Sequence, residues 1–263
     1  MKTVVITGST RGIGFSMARE FLQAGCNVTL SGRGEALPKE AQKELLPFEG
    51  KYIYIQCNVQ KKASLQNLWD SSFERWGGVD IWINNAGKNT PHMFSWETGE
   101  TYTENIINTN VIGMIYGSQV AAAGMIRQGH GAIYSMEGLG SNDMIQVKTI
   151  LYGTTKRALT YFMKGLSKEL EGTGVIAGRL SPGMMLTDFI TKTPDGDPSE
   201  VVSDEKFKRV FNILADKPET VAKFFIPQML NNTKNGVQLT WLTNKKAAWR
   251  FMTAGLRKSR MIE

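Results

Sequence analysis

The chain opens on a short β-branched run, Thr3-Val4-Val5-Ile6-Thr7, which breaks at once into Gly8-Ser9-Thr10-Arg11-Gly12-Ile13-Gly14. A strand with no polar side can only lie in a sheet covered on both faces. The pattern then repeats. Apolar runs at Asn27 to Ser31, Tyr52 to Cys57, Ile81 to Asn84, Ala132 to Ser135 and Val175 to Leu180 read as further strands. Helical stretches at Ile13 to Ala24, Lys62 to Trp76, Asn105 to Arg127 and Thr149 to Glu171 lie between them. This alternation predicts an α/β fold, a doubly wound parallel sheet with helices on both faces. Ligands of such sheets bind outside the carboxyl ends of the strands.

A chain of 263 residues with 41% apolar content and no Pro/Gly/Ser-rich linker fits one domain over 1–263. Met1-Lys2 leads straight into the first strand, which leaves no room for a leader and points to the cytoplasm. Val111 to Ile126 is interrupted by Ser118, Gln119 and glycines, so it reads as a buried helix and not a membrane span. Cys26 and Cys57 border strands and are expected as buried reduced thiols. His92 and His130 are the only histidines, and no metal site is expected. The net charge of +7 comes mostly from lysines beside glutamates, as in Lys39-Glu40 and Lys43-Glu44. The segment near 245–260 is different: Lys245, Lys246, Arg250, Arg257, Lys258 and Arg260 occur there without an acid. No nucleic-acid-binding motif accompanies them, and no nucleic-acid partner is expected.

Gly8, Gly12 and Gly14 let the chain reverse tightly and let a pyrophosphate approach the backbone, with the opening helix aiming its N–H groups at the phosphates. Ser9, Arg11 and Ile13 belong to the same turn. A carboxylate after the second strand would bind a ribose 2′-hydroxyl; Ser31-Gly32-Arg33 stands there instead. Arg33 and Arg11 suit a 2′-phosphate through charge-assisted bonds, which favours NADP(H), unless Arg33 is merely solvated. Asn58-Val59 follows the third strand, where an adenine would lie. Asn84-Asn85-Ala86-Gly87 ends the fourth, with Asn85, Ala86 and Gly87 on the ribose and nicotinamide side and Asn84 available to bond neighbouring strands.

The glycine turn, Asn58, Asn84-Asn85-Ala86-Gly87, Asn110, Tyr152 with Lys156, and Ser181-Pro182-Gly183…Thr187 occur in one order. In that order they resemble the short-chain dehydrogenase/reductase family from Lys2 to about Thr187. The resemblance implies a Rossmann-type fold and a hydride exchanged between NADP(H) and a carbonyl carbon. It implies that Tyr152 donates the proton, aided by Lys156, which lowers the phenol pKa and holds the nicotinamide ribose. It further implies that Asn110 anchors a proton-relaying water, while Pro182, Gly183 and Thr187 close over the nicotinamide. The family's carbonyl-polarising serine is missing: Gly138, Leu139 and Gly140 occupy its place. Ser141 is the expected substitute, with Ser135 or a backbone N–H as alternatives. Glu137 is either a solvent-facing loop acid or a polar contact in the pocket.

The Met136-Glu137-Gly138-Leu139-Gly140-Ser141 loop, Ser181 to Thr187, and the tail Gly236 to Thr243 resemble the family's chlorophyll b reductase branch. That would imply reduction of the 7-formyl group of chlorophyll(ide) b. Met93, Phe94, Trp96, Met144, Met184, Met185 and Phe189 could line a broad apolar pocket or simply pack. A substrate lid is expected near 190–216. In the C-terminal helix Ala248, Trp249, Met252 and Leu256 share one side and Arg250, Arg257 and Lys258 the other. That helix could dock on the same chain, on a sister subunit or, peripherally, on an anionic membrane. The family implies a homodimer or homotetramer, and the small-residue face Ala121 to Gly124 is compatible with one. Two other readings remain open at this level: a reductase of small ketones or acyl thioesters, and a catalytically weak NADP-binding regulator.

Overall fold

Alternate residues of the first strand divide the molecule into two layers. Val4 and Ile6 of β1 (Thr3–Ile6) face one apolar core and Val5 faces the other. The computed structural model describes residues 1–256 and 261–262. The remaining strands are β2 (Asn27–Gly32), β3 (Tyr52–Gln56), β4 (Ile81–Asn84), β5 (Gly131–Met136), β6 (Val175–Ser181) and β7 (Gln238–Thr240). They form one sheet in the order β3-β2-β1-β4-β5-β6-β7, and every pairing is parallel. The order reverses between β1 and β4, which opens a crevice at their carboxyl ends.

The helices are α1 (Gly12–Gln23), α2 (Lys39–Leu45), α3 (Lys62–Trp76), α4 (Glu100–Ile107), α5 (Gly113–Gln128), α6 (Ile150–Glu169), α7 (Asp188–Thr191), α8 (Glu205–Leu214), α9 (Pro218–Asn231) and α10 (Asn244–Met252). Helices α1 and α9 cover one face, burying Phe21, Phe225 and Met229 against Val4, Ile6 and Leu30. Helices α3, α5 and α6 cover the other, with Leu65, Leu68, Met125 and Leu159 against Val5, Trp82 and Ile133. Each such buried side chain stabilises the fold by about 1.5–3 kcal/mol.

Four sequence expectations change. The helix expected over 105–127 is broken by a π-helical turn at Asn108–Ile112. Strand β7 and helix α9 were not anticipated, since β7 is too short to carry a periodic signal. The small-residue face is largely internal: Ala121, Ala122 and Gly124 are buried, and the Trp69 indole fills the space where a Cβ on Gly124 would lie. The C-terminal helix ends at Met252, with a 3-10 turn at Ala254–Leu256; Arg257, Lys258 and Arg260 lie outside the described residues.

Within α10 the arginine is the buried side chain, and the apolar side does not dock on this chain. Arg250 is 3% exposed, whereas Trp249 is 57% and Met252 78% exposed. The cause is Asp216, whose carboxylate meets the Arg250 guanidinium at 2.7 Å and accepts from the Trp241 indole N–H at 2.7 Å. Among the described residues, no helix is long and apolar enough to cross a membrane.

Candidate active site

The glycine turn lies at the carboxyl end of β1. Gly8 and Gly12 adopt left-handed φ values of 62° and 58°, which side chains disfavour. A Cβ on Gly8 would sit 2.8 Å from the Cα of Ala86, so β4's loop and this turn touch backbone to backbone. Asn85 braces the contact, its Nδ2 donating to the carbonyls of Thr7 (3.0 Å) and Gly8 (2.9 Å). Thr7, not singled out in the sequence, accepts from the N–H groups of Asn85 and Ala86 at its hydroxyl. The Ser9 hydroxyl turns inward, donating to Ile6 O and accepting from Ser31 N–H, so it ties two strand ends together. Gly12 opens α1 with Ile13 behind it, and a Cβ on Gly12 would meet Thr187 at 3.7 Å. Thr187 thus lies beside the glycine turn.

Arg33 is exposed just beyond β2. Its loop is fixed from β3, where Gln56 donates to Arg33 O at 2.9 Å and Tyr54 to Gly34 O at 2.6 Å. The exposed Arg11 guanidinium lies 3.4 Å from the Asp188 carboxylate of α7, across the turn. Lys88 adds a cation that sequence reasoning passed over, although it directly follows Gly87. Burial and the nearby Arg33 guanidinium hold its ammonium below the usual lysine range. Asn58 Oδ1 accepts from Gln60 N–H, and Val59 packs on Gly113.

Tyr152 and Lys156 lie one turn apart on α6. The half-buried Tyr152 ring lies 5.6 Å from Lys156 Nζ and 5.3 Å from the Phe189 ring of α7. Burial pushes the phenol pKa up. The lysine itself is buried, and desolvation brings its pKa down to about 8. Its Nζ donates to Met136 O at 2.9 Å. The π turn presents Asn110 to the same place: its amide bonds both backbone groups of Lys88 and, at 3.0 Å, Thr155 Oγ1. Asn110 Oδ1 and Lys156 Nζ both border Gly87.

The serine loop departs most from expectation. Gly138 stands against the Tyr152 hydroxyl, where a Cβ would overlap the phenol oxygen. Ser141 turns its hydroxyl to Gly138 N–H (3.2 Å) and Lys156 O (3.4 Å), so it locks the loop onto α6. Ser135 is fully buried beside Asn84 and Met163. Glu137 is neither solvent-facing nor in the pocket: it is 2% exposed and pairs with Arg179 at 3.0 Å, behind the site.

At the mouth, Phe94 and Trp96 stack 4.7 Å apart, Lys148 caps Phe94 at 5.1 Å, and Met144 is 58% exposed. Met184 and Phe189 are half-buried, and Met93 likewise, whereas Met185 packs on the core. Pro182 is buried, and Gly183 has φ 74°, with Leu242 filling the space where a Cβ would lie.

The family model for the short chain dehydrogenase matches residues 2–198, and the chain belongs to that family. Its likeness within the family is more particular. It is 32% identical over 280 residues to a probable chloroplastic chlorophyll(ide) b reductase of Arabidopsis thaliana, covering 100% of this chain and 55% of that protein. The chain thus spans about half the length of this relative. It is 30% identical over 227 residues to the NADP-dependent 3-hydroxy acid dehydrogenase of Escherichia coli K12, covering 84% and 86% of the two chains. The closed form of serine dehydrogenase complexed with NADP+ superposes with a TM-score of 0.77 at 25% identity, over 91% of this chain and 94% of that one.

Proposed function

We propose that the chain is an NADP(H)-dependent reductase of a bulky apolar aldehyde or ketone, with the 7-formyl group of chlorophyll(ide) b as its leading substrate. The observation that carries this reading is the Tyr152 hydroxyl, held at Gly138 beside a buried Lys156 at the sheet's carboxyl edge. The crevice fits the dinucleotide: Gly8 and Gly12 keep side chains out of the phosphate turn, α1 opens toward it, and Arg33 supplies charge for a 2′-phosphate. Bound there, NADPH supplies the hydride. Tyr152, its pKa raised by burial, retains its proton until the substrate oxygen gains charge, then donates it. Lys156 contributes a positive charge beneath the ring and a donor for ribose hydroxyls. Asn110 orders the groups around Gly87, where a relaying water would enter.

The stacked Phe94–Trp96 pair and the exposed Met144 offer a flat apolar surface to a pigment-sized substrate. The segment 190–216 is its lid, and Phe189, just before it, packs on Tyr152. The assembly that accompanies this reading is a homodimer or homotetramer through the outer sides of α5 and α6, where Ile126 and Tyr161 are 47% and 82% exposed. Its location is the cytoplasm, with peripheral contact at a membrane through the exposed Trp249 and Met252.

The test is incubation of the purified protein with NADPH and chlorophyllide b while pigment absorbance is followed, with Tyr152→Phe as control. Conversion to the 7-hydroxymethyl pigment that depends on Tyr152 is expected. NADPH binding without conversion of this or any simpler aldehyde would instead leave a nucleotide-binding regulator.

A further inference from the structure

The carboxylate of Glu137 takes no part in the chemistry above, yet it is among the most deeply buried acids of the chain. Its oxygens are fully used: Oε1 accepts from Arg179 Nη1 at 3.0 Å and from Thr160 Oγ1 at 3.2 Å, and Oε2 from Gln238 Nε2 at 2.6 Å. Thr160 is one helical turn beyond Lys156, and its hydroxyl also lies 3.1 Å from Lys156 O. On the other side, the carbonyl of Met136, the residue before Glu137, accepts from Lys156 Nζ. The Met136 carbonyl thus holds the Lys156 ammonium, while Glu137, the next residue, accepts from Thr160 and ties the following turn of α6 to the end of β5. A buried ion pair seldom adds more stability than apolar side chains of the same volume. Packing alone therefore gives little reason for an acid here.

We propose that Glu137 is a positioning residue for Lys156, its carboxylate keeping the buried ammonium charged and the Lys156 turn of α6 seated on β5. The inference rests on the reading of Lys156 as part of the reductase site. Lys156 is 6% exposed, so burial opposes its charge, and Glu137 is the acid whose field counters that. The other groups around the pair are Tyr152 on α6, Arg179 on β6 directly behind Glu137, and Lys88, bound to Asn110; Gln238 of β7 and Asn110 itself are neutral. Arg179 acts oppositely to Glu137, which makes the two separable.

The experiment is an NMR titration of cofactor-free protein carrying 13C at lysine Cε, with the Lys156 resonance assigned by its loss in Lys156→Met. Glu137→Gln is expected to move the Lys156 titration to lower pH by roughly one unit, and Glu137→Asp to restore most of it. Arg179→Met, which leaves the carboxylate unopposed, is expected to move it upward. The basic limb of the kcat/KM profile with NADPH should follow the same two directions. Shifts of opposite sign cannot arise from loosened packing, which would move both variants alike. A titration unmoved in both, or moved the same way in both, overturns the proposal. Should Glu137→Gln fail to fold, the Glu137→Gln/Arg179→Met double variant, which leaves no unpaired buried charge, takes its place, and a titration no lower than that of Arg179→Met overturns the proposal. Because the titration needs no turnover, an inactive protein would count against the reductase reading and leave this one standing.

Discussion

Gly138 abuts the hydroxyl of Tyr152 so closely that position 138 admits no side chain while the phenol keeps its place. The loop that carries a serine elsewhere in the family is here a glycine contact, and the nearest serine, Ser141, is turned to the backbone of α6. Restoring a hydroxyl at 138 should therefore harm the site. Gly138→Ser and Gly138→Ala are both expected to lose at least ~100-fold in kcat/KM, the cost of a misplaced reacting group. Equal activity in Gly138→Ser and the parent, by steady-state kinetics, would mean that the loop moves freely.

Tyr152→Phe removes the proton donor but leaves the Phe189 ring contact intact. A loss of ~10²–10⁴-fold in kcat is expected, with the Kd for NADPH essentially unchanged in a fluorescence titration.

Lys156 titrates near about 8 in the folded chain, below its ordinary 10.5. Activity that needs the ammonium should fall as pH rises through about 8. Stability should do the reverse. Between pH 8 and 10 the unfolded lysine keeps a proton that the folded one has released, so the unfolded state binds more protons and unfolding becomes less favourable as pH rises. Tyr152 adds little to the slope below about pH 9, where it is protonated in both states; nearer pH 10 the unfolded phenol begins to lose its proton while the folded one keeps it, which opposes the rise. Urea titrations across this range should show the rise, and Lys156→Met should remove it.

Arg33 projects from a loop clamped by Gln56 and Tyr54, so its place is set before any nucleotide arrives. Arg33→Ser is expected to weaken NADPH binding at least ~10-fold while leaving NADH affinity near the parent value, the loss of one charge-assisted phosphate contact. A proportional loss for both nucleotides would show that Arg33 supports the loop and not the 2′-phosphate.

Arg250 and Asp216 join α10 to the loop over the site: Asp216 N–H donates to Met184 O, and Leu186 N–H to Asp216 O. Arg250→Met leaves the half-buried Asp216 carboxylate with the Trp241 indole as its remaining side-chain partner and should cost about 1–3 kcal/mol of stability. Denaturant unfolding of the variant measures this, and a midpoint unchanged from the parent would count against the pair as a clamp.

The sheet and its crevice were legible because their signals are local. A buried strand, a glycine turn and a helix start within a dozen or so residues, and a Tyr and Lys one helical turn apart share a face whatever surrounds them. The break at Asn108–Ile112 was not legible, since nothing in Asn108-Thr109-Asn110-Val111-Ile112 differs in pattern from an unbroken helix. Nor was the direction of the serine loop. Ser141 points to α6 because Gly140, at φ 97°, brings that loop against Gly153, a contact that periodicity does not encode.

Charge placement divides most sharply along the same line. The sequence by itself determined the fold class, the position of the glycine turn and the Tyr152–Lys156 pair. Only the tertiary structure decided that Glu137 and Arg250 lie inside while Trp249 and Met252 lie outside. A charged side chain is buried only where partners offset its lost hydration. Those partners arrive from remote segments: Arg179 and Gln238 for Glu137, Asp216 and the carbonyl of Leu214 for Arg250.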